Sequence, residues 1–271
     1  MDLSKVKLVV TDMDGTLLNS KHEVSDRFFT VFKALKKQGV LFVAASGRQY
    51  SSILEKLHTI KNDIIIVAEN GGFAKHKDEE LLATPMRNQF KKIVLNSIKN
   101  VPNIHPVLCS KDNAYVTGES PEFIGMLREF YAGFEVIDDL TAYNDEILKI
   151  AIYHFESSEK YIYPAVAHLE NDLKVKVSGE NWVDISEMDA NKGFAIEKIQ
   201  QQYGIRPSET MVFGDYNNDL EMLSKAYFSF AMENAHANVK EAANFNTLSN
   251  NAYGVELILE KMVAAKNVIE N

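Results

Sequence analysis

The sequence predicts an α/β protein: a Rossmann-like parallel sheet into which an α+β segment has been inserted. Short apolar runs alternate with helix-like stretches in the first third of the chain, and the same alternation returns in the last third. Between them lies a stretch of different texture, in which helices sit between alternating or isolated strands. Alternation of this kind implies parallel strands joined by right-handed crossovers. The middle stretch reads as a second domain spliced into the first, so residues 1–85 and 188–271 form the core and residues 86–187 the insert.

In the first third, Leu8-Val9-Val10 is a buried strand that runs into polar residues. Phe28, Phe29, Phe32 and Leu35 share one helix face, and Gly39 stops that helix. Residues 40–45 and 64–68 are two more buried strands, with a helix over residues 49–57 between them. In the last third, residues 194–203 form an amphipathic helix ended by Gly204. Residues 210–213 are a strand, 220–223 open a helix, 228–231 are a strand, and 255–263 belong to a terminal helix. In the middle, helices are expected over residues 90–98, 121–131 and 160–170. Strands are expected near residues 114–117, 147–153, 175–177 and 182–185.

Composition narrows the function classes. The chain has 271 residues, 46% hydrophobic and 25% charged, enough for a core without disulfides or structural metals. Its net charge of −9 gives no basic footprint for nucleic acid. The apolar runs fall far short of the roughly 20 residues of a membrane helix. The first residues lack a secretory pattern, and Cys109 is the single cysteine, set in an apolar stretch as a buried structural thiol. The expectation is a cytoplasmic protein with no membrane, nucleic-acid or obligate protein partner. The seven histidines show no zinc spacing. Neither a G-x-x-x-x-G-K-[ST] nor a G-x-G-x-x-G pattern occurs, which argues against a nucleoside triphosphatase or a dinucleotide enzyme.

The polar clusters lie where strands of a parallel sheet end, the place where such sheets bind ligands. Asp12-Met13-Asp14-Gly15-Thr16 follows the first strand, Ser46-Gly47-Arg48 the second and Glu69-Asn70-Gly71-Gly72 the third. Residues 214–219, Gly-Asp-Tyr-Asn-Asn-Asp, follow the strand at Met211, and Lys192-Gly193 opens the helix before that strand. Asp12, Asp14 and Asp215 offer hard oxygen ligands suited to Mg²⁺. Ser46 offers a hydroxyl, Gly47 an approachable amide, and Lys192 a point charge. These are the parts that hold a phosphoryl group. A carboxylate can attack phosphorus, and a second carboxylate two residues on can serve as acid and then base.

With these residues in place, the chain resembles the haloacid dehalogenase superfamily, in particular the Cof-type phosphatases and, among them, the bacterial sugar phosphatases. The family pattern of D-x-D-G-T, a Ser or Thr, a Lys, and G-D-x-x-N-D is matched in order by Asp12 to Thr16, Ser46, Lys192 and Gly214 to Asp219. The similarity spans the whole chain. It implies a core with an inserted cap of the C2 type, and hydrolysis of small-molecule phosphate esters, sugar phosphates foremost. It implies Asp12 as nucleophile and Mg²⁺ ligand, and Asp14 as acid and base with its backbone carbonyl on the metal. It implies Asp215 as a metal ligand, and phosphate contacts from Met13, Ser46, Gly47, Lys192 and Asn218. Thr16 and Asp219 would support these from behind, Asp219 through the metal or Lys192. Tyr216 departs from the small residue often found at its position.

Other readings stand beside these. Ser46, Asp215, Asn218 and Asp219 also suit helix N-caps, and Lys192 a solvated helix start. Arg48 fits substrate contact and surface ion pairing equally. Residues 69–72 read as a structural turn, and Trp182 as a hydrophobic anchor rather than a sugar platform. A sugar phosphomutase would share the aspartyl-phosphate. A phospho-aspartate signalling module would too, but is much shorter.

Overall fold

The structure, a computed structural model, describes residues 1–131 and 133–268. In chain order it contains β1 (Leu8–Asp12), α1 (Asp26–Lys37), β2 (Leu41–Ala45), α2 (Tyr50–Lys56), β3 (Ile65–Ala68), β4 (Phe73–His76) and β5 (Glu79–Ala83). Then come α3 (Asn88–Ile98), β6 (Ile104–Cys109), β7 (Ala114–Val116), α4 (Pro121–Phe130), β8 (Glu135–Val136) and β9 (Lys149–His154). They are followed by α5 (Ser158–Tyr161), α6 (Tyr163–Val166), β10 (Leu173–Val177) and β11 (Trp182–Glu187). The chain closes with α7 (Lys192–Tyr203), β12 (Thr210–Gly214), α8 (Leu220–Leu223), β13 (Phe228–Ala231), α9 (Ala237–Ala242), β14 (Phe245–Asn246) and α10 (Gly254–Asn267).

These elements make two compact units. One holds Met1–Arg48, Ile53–Leu82 and the chain from Asn191 onward; the other holds Gln49–Ser52 and Ala83–Ala190. The first unit carries an eight-stranded sheet in the order β14-β13-β12-β1-β2-β3-β4-β5. The strands from β14 to β3 run parallel. Every residue of β1, β3, β12 and β13 is buried, as parallel strands covered on both faces require. β1 sits between β2 and β12, so chain order reverses there and opens a ligand site at the strand ends. The sheet is not wholly parallel: β4 pairs antiparallel with β3. The sequence pattern misses β4 and β5 because β5, at the sheet edge, has no buried residue and reads as polar.

The helix face predicted at Phe28 is present. Ser25 caps α1 by accepting a hydrogen bond from the Phe28 N–H at 3.0 Å. Phe28, Val31, Phe32 and Leu35 are buried, and the Phe28 ring lies 5.2 Å from that of Phe42 on β2. Gly39 ends the segment at φ +68°, a left-handed conformation that costs glycine little.

The second unit is a six-stranded sheet in the order β10-β11-β9-β6-β7-β8. Val94, Ile98, Ile150, Ile152, Val183 and Ile185 share one of its cores. Val107, Cys109, Phe123, Leu127 and Tyr153 share the other, with Trp182 packed against it. Trp182 lies 4.8 Å from Tyr153, which is the anchor role, and Cys109 is buried. One expectation is corrected here. The helix over residues 160–170 breaks into α5, α6 and a 3₁₀ turn at Ala167–Asn171. Pro164 is the cause, because it has no N–H and fits only the first turn of α6. The sequence reading also assigns no strand to β6, where Pro106 weakens the strand pattern, although in the structure Pro106 keeps its place opposite Ile152 of β9. The proline is tolerated since β7 pairs with Leu108 and Cys109, beyond it.

Phe28→Ala would empty a fully buried aromatic site between α1 and β2. The expected cost is about 3–5 kcal/mol, read as a lower urea midpoint with unchanged slope.

Candidate active site

The site is assembled at the carboxyl ends of β1, β2, β3 and β12, all in the first unit. Asp12 is the last residue of β1. The chain then doubles back: the Leu17 and Leu18 N–H groups donate to the carbonyls of Asp12 and Met13 at 3.3 and 2.8 Å. Gly15 makes this turn at φ +75°, and a Cβ there would stand 2.3 Å from Asp215 Oδ2. The turn thus brings two distant carboxylates together at a place where only glycine fits. Thr16 Oγ1 donates to Asp215 Oδ1 at 2.9 Å, which fixes the second of them.

Lys192 reaches the same point from the far side. Asn191 caps α7 by accepting from the Phe194 N–H at 2.8 Å, so Lys192 is the first residue of the helix. Lys192 Nζ donates to Asp12 Oδ1 at 2.5 Å and to Asp219 Oδ1 at 2.7 Å, and its side chain is 0% exposed. Asp219 Oδ2 in turn accepts from the N–H groups of Asp215 and Tyr216 at 2.9 and 3.1 Å. One oxygen of Asp219 therefore holds the lysine and the other shapes the loop that presents Asp215. Two glycines permit the close packing. A Cβ on Gly193 would lie 2.6 Å from the Glu221 carbonyl oxygen, and one on Gly71 would lie 2.2 Å from that of Asn191.

Ser46 is buried after β2, and its Oγ accepts from the Arg48 N–H at 3.2 Å, leaving the hydroxyl proton for another acceptor. Gly47 lies against Asn70: a Cβ there would sit 3.0 Å from Asn70 Oδ1. That same oxygen accepts from Asn218 Nδ2 at 3.0 Å, so Asn218 is held at the strand ends. The sequence reading places Asn70 in a structural turn only. The signal for more is the run Glu69-Asn70-Gly71, whose residues take positive φ in succession, a strained turn of the kind that gathers at sites.

Asp14 is placed differently from Asp12. Both its oxygens accept from Arg48, from Nε and Nη2 at 2.6 Å each, and His22 Nδ1 lies 3.3 Å from Oδ1. Of the two Arg48 alternatives the structure contains the ion pair, bidentate to Asp14. The sequence reading does not single out His22, and nothing in its local pattern marks it. Partial burial pushes the Asp14 carboxyl up, but the bonds and charge of Arg48, with help from His22, hold it below the usual aspartate range.

The charges at the centre do not balance on their own. Asp12, Asp215 and Asp219 can bring one oxygen each within 4.8 Å of the others, with Lys192 as the buried cation. Burial is the largest influence on Asp12 and pushes its carboxyl up; Lys192 opposes that, and Asp219 and Asp215 add to it. Burial also raises Asp215, with the charge of Asp219, to about 6. For Lys192 burial works against the charge, yet Asp12 and Asp219 together hold it above the ordinary lysine range. A cluster of acids this short of positive charge fits a hard divalent cation. Asp12 and Asp215 would hold it directly, since both oxygens of Asp219 are occupied. The Asp14 side chain is turned to Arg48 and stands outside the cluster.

A family description of haloacid dehalogenase-like hydrolases matches residues 9–259. The chain belongs to that family. A 5-amino-6-(5-phospho-D-ribitylamino)uracil phosphatase of Escherichia coli K12 is 31% identical over 95% of this chain and 96% of its own length. A Bacillus subtilis 168 protein of the same name is 26% identical over 92% of this chain and 93% of its own. A crystal structure of a Streptococcus mutans UA159 protein superposes with a TM-score of 0.86 at 29% identity, over 96% of this chain and 99% of that one. Membership and relatives together make the chain a phosphoric monoester hydrolase. Among the described residues no helix is long and apolar enough to cross a membrane.

The raised Asp215 carboxyl gives a pH prediction. The folded state binds this proton more tightly than the unfolded chain does, so the contribution to stability is full below the ordinary value of 3.8 and lost as pH rises through about 6. With chelator present, thermal stability should decline across that window, and Asp215→Asn should flatten the decline. Added Mg²⁺ should raise the melting temperature more near neutral pH than near pH about 5.

Proposed function

We propose that the chain is a Mg²⁺-dependent phosphatase of small phosphate monoesters that works through a phosphoryl-aspartate on Asp12. The observation that carries the reading is the buried Asp12–Lys192–Asp219 bridge at the end of β1, beside Asp215. Lys192 occupies one oxygen of Asp12 and orients the other for attack. When bound, Mg²⁺ would neutralise charge on the phosphoryl oxygens. Lys192, the Ser46 hydroxyl, the Met13 and Gly47 amides and Asn218 would hold the phosphoryl group in place.

In the first step an Asp12 oxygen forms a bond to phosphorus while the bond to the leaving oxygen breaks. Asp14, protonated, gives its proton to that oxygen, and the alcohol departs. In the second step Asp14 takes a proton from water, the water oxygen attacks phosphorus, and the Asp12–phosphorus bond breaks to release phosphate. The Arg48 clamp suits the second step, because it keeps Asp14 ionised and ready to accept a proton. For the first step Asp14 must carry a proton, so Arg48 has to let go of at least one oxygen. Arg48 is therefore the group that separates the two roles of Asp14.

Residues 86–187 are assigned the role of a cap that selects the alcohol. Sugar phosphates are the substrate class proposed from the motifs. The two aminouracil phosphatase relatives favour a second reading within the same chemistry, since their named substrate carries its phosphate on a ribityl chain. In both readings the ester is that of a polyol.

Asp12→Asn should lower phosphate release about a thousandfold or more, while circular dichroism shows a folded protein. Chelation should abolish wild-type turnover and Mg²⁺ should restore it. Turnover by the Asp12→Asn variant near the wild-type rate would overturn the mechanism.

A further inference from the structure

The turn between β3 and β4 has no part in the chemistry proposed above, yet it lies against most of the residues proposed to hold the phosphoryl group. The Asn70 N–H donates to the Ser46 carbonyl at 3.0 Å. The Asn70 side-chain amide lies on Gly47, where a Cβ would stand 3.0 Å from Oδ1 and 3.1 Å from Nδ2. Its Oδ1 accepts from Asn218 Nδ2 at 3.0 Å. The next residue, Gly71, packs against the start of α7, and a Cβ there would lie 2.7 Å from the Lys192 backbone nitrogen. Asn70 itself is left-handed, at φ 55° and ψ 31°. Asparagine adopts that conformation more readily than most residues, which could by itself explain its presence. Glycine would serve the backbone better still. What glycine lacks is the amide, and here the amide is in use.

An asparagine amide has a donor end and an acceptor end of nearly the same shape. A phosphoryl oxygen needs the donor, and a carbonyl oxygen turned toward it would repel. Asn218 lies in the single 3₁₀ turn Asn217–Asp219 before α8 and is partly buried. Asn70 Oδ1 takes one hydrogen of its Nδ2, which fixes the amide and leaves the second hydrogen for another acceptor. Gly47, having no side chain, leaves room for the Asn70 amide to do this. We propose that Asn70 is a positioning residue that fixes the Asn218 amide so that it presents a hydrogen-bond donor to the phosphoryl group. This rests on the phosphatase reading and adds to it a residue that acts without touching substrate.

The test uses the full chain with Mg²⁺, inorganic phosphate as the probe in calorimetry and p-nitrophenyl phosphate as the ester. The variants are Asn70→Gly, Asn70→Ala, Asn218→Ala and each Asn70 change combined with Asn218→Ala, so that the comparison stands if one Asn70 variant fails to fold. Asn70→Gly should melt near wild type and Asn70→Ala lower, because only glycine takes a φ of 55° without strain. Both should nonetheless raise the Kd for phosphate and lower kcat/KM by the same factor of about ten, the effect of one hydrogen bond left unoriented. Once Asn218 is alanine, either Asn70 change should alter both quantities less than about twofold. A loss of phosphate affinity in Asn70→Ala but not in Asn70→Gly would follow stability alone and overturn the assignment. A further tenfold loss on top of Asn218→Ala would overturn it too, and both results leave the phosphatase reading intact. Wild type that neither binds phosphate with Mg²⁺ nor hydrolyses the ester would instead remove the phosphatase reading and this inference with it.

Discussion

The buried bridge from Asp12 through Lys192 to Asp219 is the constraint on which the rest of the site depends. A lysine taken fully out of water is costly unless its charge is met and its donors are used. Here two carboxylates meet it, from β1 and from the loop after β12. Those strands are neighbours in the sheet although about two hundred residues separate them in the chain. Much of the local glycine pattern follows from the need to bring this lysine in. Gly71 and Gly193 let α7 approach, and Gly15 lets the β1 turn close on Asp215. A methyl group at any of these positions would collide with backbone or with a carboxylate oxygen.

The same bridge sets the electrostatics. Burial above all, and then the charge of the neighbouring acids that one cation cannot offset, raises proton affinity at Asp12 and Asp215. A divalent cation would resolve the imbalance, and the donor set fits one. Asp14 is exempt because Arg48 has already neutralised it. Two aspartates two residues apart thus have different environments and proton affinities shifted in opposite directions, Asp12 up by burial and Asp14, against its partial burial, down by Arg48.

Much of this is legible in the sequence, for reasons that differ by residue. β1, β3 and β12 are buried on both faces and β2 nearly so, so their apolar runs announce themselves, and the polar residues that follow must lie at strand ends. Gly204 takes the left-handed conformation expected of a helix stop. What escapes the pattern depends on contacts between distant segments. Asn70 acts through Asn218, 148 positions away, and Arg48 through Asp14, 34 away. Neither pairing has a local periodicity to reveal it. β5 is hidden by its exposure and β6 by Pro106, since a strand signal is at bottom a burial signal.

The central claim is that Asp12, and no other carboxylate of the cluster, carries the phosphoryl group. It is tested most directly by quenching a single turnover in acid, reducing the acyl phosphate with borohydride and mapping the peptides. The account predicts homoserine at position 12 and intact aspartate at positions 14, 215 and 219. Homoserine at one of those positions, or at none during productive turnover, would contradict it.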